Sequence, residues 1–389
     1  MPADTAARSN GSPPFRADQV GSLLRPEALK AARERFLGPQ TPDQHLGPHD
    51  NAELRAVEDR CICEAVAMQE ELGLMAVTDG EFRRRSWWLE LLLNWNGISA
   101  HRTGTVAFTW HTPEGKEQPF SRLWINAPIR WNPSPIVRAY QFLKAHTKAV
   151  PKVTIPAPIL VHIYGGGDKG IREGHYKDID AFWHDLTAAY RRELAALVQA
   201  GARYIQLDDT SIAFLCDPKY RATVASFGND PDALLLDYAR RINDVLAGLP
   251  ADVTVTMHQC RGNREGGWSA QGGYDPVADV LFNRVNVHGF FLEYDTARAG
   301  SFEPLKLLPK GKLAVLGLVS TKTPRLETAD ELKRRIEEAS RFAPIEQLAL
   351  SPQCGFASSI KGNPVTPADQ RAKLARIVEV ARAVWRASA

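Results

Sequence analysis

The chain reads as an α/β protein of the (β/α)₈ barrel class. Short strand-like runs alternate with amphipathic helical stretches, the runs number eight, and polar residues collect at their carboxyl ends. The runs are Asp18–Ser22, Leu74–Asp79, Lys152–Pro156, Arg203–Asp208, Val253–His258, Val285–Glu293, Leu313–Leu318 and Gln347–Ser351. Between them, Asn51–Leu72 places Leu54, Val57, Cys61, Ala65, Met68 and Leu72 at helical spacing. Ile179–Ala200, Asp230–Ala247, Thr328–Phe342 and Pro367–Trp385 behave in the same way. Pro231 and Pro367 stand in first turns, where a missing N–H costs nothing. Gly73 and Gly201 follow their helices as stop signals. An open, doubly wound sheet is the rival architecture, since alternation alone does not reveal closure. Its nucleotide-binding forms lose support because no GxGxxG follows the first strand and GxxxxGK[ST] is absent; Gly165-Gly166-Gly167 reads as a flexible loop after the third clear strand.

One barrel is expected over residues 15–389, preceded by a flexible tail, 1–14, rich in Ala, Ser, Pro and Gly. The tail lacks the apolar segment of about 7–15 residues that secretion requires. Residues 95–150 interrupt the alternation. Thr105–His111, Pro113-Glu114-Gly115 and Ser121–Ala127 read as a hairpin turning at Glu114-Gly115, an excursion suited to a lid or to a homodimer interface. Lys and Arg total 48 against 45 Asp and Glu, so no basic surplus exists to neutralise a phosphate backbone and nucleic acid is not an expected partner. No apolar run approaches the ~20 residues of a membrane span. The cysteines number five, an odd count without a secretion signal, which points to a reducing, cytoplasmic compartment. Their functional uses are then metal binding or catalysis.

In barrels of this class chemistry sits at the carboxyl ends of the strands. Thr78-Asp79-Gly80-Glu81, Asp208-Asp209, His258-Gln259-Cys260, Glu293 and Pro352-Gln353-Cys354-Gly355 occupy such places. His258 and Cys260 are two apart, so in an extended chain both face one side. An imidazole nitrogen and a thiolate suit Zn²⁺, and Glu293 and Cys354 at neighbouring strand ends would complete four ligands. A buried structural pair is the alternative, since buried cysteine is common. Cys61 and Cys63 lie in a helix about 200° apart and read as small core residues, as does Cys216. Arg261-Gly262-Asn263-Arg264 follows the His-x-Cys pair and suits either an anionic group or a solvated loop. Trp87-Trp88 reads as packing, His288 as a hydrogen-bonded core histidine, and Asp295 and Arg298 as groups that orient the Glu293 region.

From Asp18-Gln19-Val20-Gly21-Ser22 to Ser351-Pro352-Gln353-Cys354-Gly355, the sequence resembles the C-terminal catalytic barrel of cobalamin-independent methionine synthase, and more closely its short single-barrel relatives. The resemblance implies a barrel related to uroporphyrinogen decarboxylase, with zinc held by His258, Cys260, Glu293 and Cys354. It implies that Gly21, Ser22, Glu81 and Asp208 hold the amino-acid end of homocysteine. Gly21 and Ser22 offer neutral donors to a carboxylate, while Glu81 and Asp208 accept from an ammonium group. Pairing of Glu81 with Arg83 or Arg84 is the structural alternative; Asp209, beside Asp208, joins the substrate-binding candidates. Zinc would convert the substrate thiol to the nucleophilic thiolate, with Glu293 yielding its place as the thiol enters.

Two departures concern the donor. Leu160-Val161-His162-Ile163-Tyr164 carries no tryptophan where the family places one against the folate ring. Lys322, in Val319-Ser320-Thr321-Lys322-Thr323-Pro324, replaces the family's proton-donating histidine. An ordinary lysine, with a pKa near ~10.4, is a poorer acid and suits an anionic group better. The resulting expectation is a zinc-dependent methyltransferase acting on a small-molecule thiol, homocysteine first. Asp208 and Lys322 are its catalytic candidates and Arg261 an anion-binding one. The methyl donor is open, methyltetrahydrofolate or another, and a separate protein could supply it. The rivals are an alkyltransferase using another thiol such as coenzyme M, and a non-catalytic zinc-binding barrel.

Overall fold

The computed structural model describes residues 11–39, 49–101, 108–119 and 122–385. The expected tail therefore falls outside the described residues over 1–10, as do residues 105–107 and 121 of the expected hairpin. Eleven strands are present among the described residues: β1 (Ala76–Val77), β2 (Asn96–His101), β3 (Thr109–His111), β4 (Glu117–Pro119), β5 (Arg122–Arg130), β6 (Val150–Pro156), β7 (Tyr204–Asp209), β8 (Thr254–Gln259), β9 (Gly289–Glu293), β10 (Leu313–Val319) and β11 (Leu348–Pro352). Seven of them form one sheet in the order β1-β6-β7-β8-β9-β10-β11, and every neighbouring pair is parallel.

The eighth expected run, Asp18–Ser22, is not a ladder strand. Its segment nevertheless joins the two edges. Ala17 bridges Leu350 of β11 in parallel. Asp18 N–H donates to Leu350 O at 3.1 Å, and on the other side Leu23 N–H donates to Gly80 O at 3.0 Å. The reason it does not pair as a strand is that interior side chains take its carbonyls. Lys152 Nζ donates to Gln19 O at 2.6 Å, Gln206 Nε2 to Val20 O at 2.7 Å, and Thr78 Oγ1 to Gly21 O at 2.6 Å. Closure of the barrel thus rests on a buried polar network as well as on a backbone ladder. Asp18 anchors it, accepting from Lys152 at 3.2 Å and from Tyr204 Oη at 2.7 Å. The first sheet strand is shortened for a related reason: Gln69 accepts from Thr78 N–H and donates to Thr78 O, replacing ladder bonds.

The helices lie where periodicity puts them. Ala52–Glu71, Ile179–Gln199, Pro231–Leu246, Ala329–Ser340 and Pro367–Val384 are capped by Asn51, Asp178, Asp230, Thr328 and Thr366. Each cap's side chain accepts an otherwise orphaned N–H. Their apolar faces pack on the outside of the sheet in one continuous core. A small separate cluster of Val20, Phe291, Val315 and Ala349 fills the barrel interior. Among the described residues no helix is long and apolar enough to cross a membrane.

The excursion differs in its pairing. β3 pairs antiparallel with β4, around a turn in which Gly115 N–H donates to Thr112 O at 2.8 Å. The segment expected as the second arm belongs to β5, which pairs with β2 instead. Burial decides this. β5 buries Leu123, Ile125 and Ile129, and Ile125 lies opposite Ile98, so the long strand joins the apolar partner and leaves the short polar β4 to close the turn.

Candidate metal centre and active site

Parallel register brings the strand ends together. Asp208 at the end of β7 lies opposite His258 of β8, and Glu293 of β9 opposite Gly317 of β10. Just past β8 and β11, Cys260 and Cys354 approach to 3.6 Å between sulfurs. Potential ligand atoms of His258, Cys260 and Cys354 lie within 4.8 Å of one another, and all three residues are buried. His258 Nδ1 is 3.3 Å from Phe291 O. A carbonyl only accepts, so Nδ1 carries the proton and Nε2 offers its lone pair. Nε2 is buried and has no hydrogen-bond partner among the described residues. The Cys354 thiol and burial push the Cys260 thiol well above its usual range. An inward-facing imidazole lone pair beside two close sulfurs suits a borderline cation and little else.

Glu293 stands apart from that group. Its Oε2 accepts from Arg261 N–H at 2.8 Å, and its Oε1 from Arg298 at 2.5 Å and Lys322 at 3.3 Å. Burial opposes its charge, yet Lys322, Arg298 and Arg261 outweigh burial and hold its carboxyl well below the usual range. Lys322 is buried beside it. Burial lowers its pKa, but Glu293 and Asp295 more than restore it, so the ammonium is held charged. Arg261 is also turned inward: its guanidinium donates to Gly272 O at 3.0 Å and to Glu293 O at 3.2 Å, and lies 4.0 Å from the Tyr274 ring centre.

An open cleft lies over the His258–Cys260–Cys354 group. Ser22, Glu81, Asp208 and Asp209 line it; Gly21, Arg261, Glu293 and Lys322 do not. Gly21 sits behind, at φ +153°, where an added Cβ would be 2.7 Å from Thr154 Cγ2 and 3.2 Å from Glu81 Oε1. Glu81 itself adopts φ +61°, a left-handed conformation rare for a non-glycine residue. Its Oε1 accepts from Thr154 Oγ1 at 2.8 Å and lies 3.8 Å from Arg84, while its Oε2 is buried without a partner. Arg83 is engaged elsewhere, with Glu58 and Asp59. Burial pushes the Asp208 carboxyl up to about 7, against the opposing pull of His258. Asp209 accepts from Ser211 N–H at 2.8 Å and Ile212 N–H at 2.9 Å, so both its oxygens cap the turn that follows β7.

Other residues fall into clear classes. His162 bonds Tyr238 Oη at 2.8 Å and Asp168 at 3.0 Å, a packing role away from the cleft. His288, half-buried and just before β9, bonds the Val255 backbone through Nδ1, so the expected hydrogen bonding is present but the core position is not. Trp88 and Tyr164 both line the cleft, edge to face at 5.7 Å. Asn263, Arg264, Ser269 and Ser358 also line it. Arg264 stood in the sequence next to the His-x-Cys pair, and that adjacency was its signal. The serines gave none, because their loops meet only in the fold.

Residues 170–383 match the model of the cobalamin-independent synthase catalytic domain. The chain is 42% identical to the uncharacterized protein YxjG of Bacillus subtilis, over 99% of this chain and 98% of that one. It is 26% identical to a methionine synthase of Pyrococcus horikoshii, over 87% of this chain and 85% of that one. A solved structure from Listeria monocytogenes, provisionally described as a vitamin-B12-independent methionine synthase, superposes with a TM-score of 0.72 at 35% identity. It covers 96% of this chain and 98% of its own.

Proposed function

The chain belongs to the family of the cobalamin-independent synthase catalytic domain, and from that premise we propose that it is a zinc-dependent methyltransferase whose acceptor is the thiol of homocysteine. The observation that carries the reading is the buried, unpartnered Nε2 of His258 beside the two sulfurs of Cys260 and Cys354. These three residues would hold zinc; Glu293, expected as a fourth ligand, stands outside the group with both oxygens engaged by Arg261, Arg298 and Lys322. Bound there, zinc would lower the pKa of an incoming thiol so that the thiolate is the species presented to the methyl donor.

The remaining work falls to the chain itself. Glu81 and Asp208 line the cleft and would accept from the substrate's ammonium group. Thr154 and Arg84 hold Glu81 in its left-handed turn, which fixes the amine and hence the sulfur. Ser22, at the closing segment, offers a neutral donor to the acceptor. Lys322 keeps Glu293 ionised and oriented; a buried ammonium stabilised by two carboxylates is unsuited to donating protons. Asp209 shapes the floor by capping its turn, and Arg261 anchors Glu293 from behind.

The reading is tested by zinc content and X-ray absorption at the zinc edge, with and without homocysteine. The expected result is one zinc per chain and an added sulfur scatterer when homocysteine is present. Zinc whose surroundings ignore homocysteine would move the acceptor to another thiol, and a protein without zinc would end the proposal.

A further inference from the structure

The residues expected to hold the metal treat their lone pairs in opposite ways. Nε2 of His258 is buried and has no hydrogen-bond partner among the described residues, which is how a ligand atom stands before a cation takes it. Glu293 has no such atom to spare. Its Oε2 accepts from Arg261 N–H at 2.8 Å, and its Oε1 from Arg298 at 2.5 Å and from Lys322 at 3.3 Å. Its own N–H donates to Tyr274 Oη at 2.9 Å, and its carbonyl accepts from the Arg261 guanidinium at 3.2 Å. Every polar atom of the residue is therefore engaged within the protein. Glu293 is also no member of the group whose ligand atoms lie within 4.8 Å of one another.

The clamp on Glu293 is itself fixed. Lys322 is buried in the loop after β10, where its N–H donates to Ser320 Oγ at 3.3 Å. The preceding Thr321 donates through Oγ1 to Gln353 Oε1 at 2.9 Å and to Gly355 O at 3.1 Å, so the loop of Lys322 is tied to the segment that carries Cys354. Arg298 lies 5.3 Å from the ring centre of Trp268. Transfer of Glu293 to a metal would leave the buried Lys322 ammonium with Asp295 as its neighbouring carboxylate. A buried cation deprived of its partner is strongly disfavoured. Charge on the metal side favours the same arrangement. One neutral imidazole and two thiolates already balance a divalent cation, and three protein ligands with one open position are the pattern of catalytic zinc.

We propose that Lys322, with Arg298, holds Glu293 off the metal, so that His258, Cys260 and Cys354 form a three-ligand centre whose fourth position is open to the thiol without displacement of a carboxylate. This rests on the zinc-dependent reading above and deepens it. Lys322 acts through Glu293 as a positioning residue.

The test is the visible spectrum of the protein loaded with Co²⁺ in place of zinc, followed by titration with homocysteine. The d–d bands of cobalt report the number and kind of its ligands. Glu293→Asp keeps the charge and shortens the reach, while Glu293→Gln keeps the shape and removes the charge. Both should give the wild-type spectrum before thiol is added. Cys354→Ser, which removes a proposed ligand, should not. Lys322→Met should release Glu293 onto the metal, shift the spectrum and weaken homocysteine about tenfold or more, because the thiol then competes with a carboxylate. In Lys322→Met/Glu293→Gln the spectrum and the homocysteine affinity should both return towards the wild type, a recovery that a merely structural role of Lys322 would not produce. Should Lys322→Met fail to fold, the two Glu293 variants decide alone. A changed spectrum in Glu293→Asp or Glu293→Gln, or a wild-type spectrum in folded Lys322→Met, overturns the proposal and leaves the zinc centre standing. Wild-type protein that takes up neither Co²⁺ nor zinc overturns both.

Discussion

At the scale of single residues, Glu81 joins backbone strain to a buried, unpartnered carboxylate oxygen. A left-handed non-glycine residue costs of order 1 kcal/mol and persists where the surroundings enforce it. Glu81→Asn keeps a residue type that tolerates this conformation while removing the charge. Thermal stability should hold, whereas kcat/KM for homocysteine should fall by roughly 100-fold or more, the cost of a lost charged contact at the reacting end. Full activity in that variant would remove Glu81 from the acceptor site. Cys354→Ser tests the metal centre in the same way. Metal analysis should find most zinc lost and activity abolished, while circular dichroism remains that of the folded barrel, because Cys354 sits at the mouth, beyond the strands. Normal zinc content would reassign the ligand.

At the scale of elements, the loops that carry the chemistry are fixed by short local devices. The turn after β7 is capped by Asp209, the loop after β8 is pinned by Asn263, and Ser320 N–H after β10 donates to Glu327 at 2.9 Å. The helices depend on caps visible in the sequence. Thr328 accepts from Glu331 N–H at 3.1 Å, and Glu331 accepts from Thr328 N–H at 2.8 Å, a reciprocal pair. Thr328→Ala should cost about 1 kcal/mol in urea unfolding and leave zinc and thiol binding untouched. A change in metal content would show that this helix communicates with the site.

At the scale of the whole molecule, the excursion is joined to the barrel wall through a buried acid. Trp131, just after β5, donates to Glu193 of the Ile179–Gln199 helix at 2.8 Å. Burial raises the Glu193 carboxyl from 4.5 to about 7. The folded chain therefore keeps a proton that the unfolded chain has released. This contribution is fully present below about pH 4.5 and is lost as pH rises towards 7, by about 3 kcal/mol in all. Glu193→Gln should flatten the fall in stability between those pH values in unfolding experiments. A slope identical to that of the wild type would place the titrating group elsewhere.

By itself the sequence determined the alternation of strands and helices, the extents of the five long helices, and the cysteines and histidine that meet at the strand ends. These follow from periodicity and capping chemistry, which are local. Tertiary structure alone decided the rest. Asp18–Ser22 closes the barrel without becoming a ladder strand, because Lys152, Gln206 and Thr78, distant in sequence, take its carbonyls. β5 chose β2 over β3 because burial of Ile125 against Ile98 outweighs the proximity of a tight turn. Arg261 and Arg264, three apart in one loop, were equivalent as residue types. One was drawn under Tyr274 to serve Glu293, and the other was laid across Trp110 at the mouth of the cleft. Such partners are set by the packing of remote segments, and no local pattern encodes them.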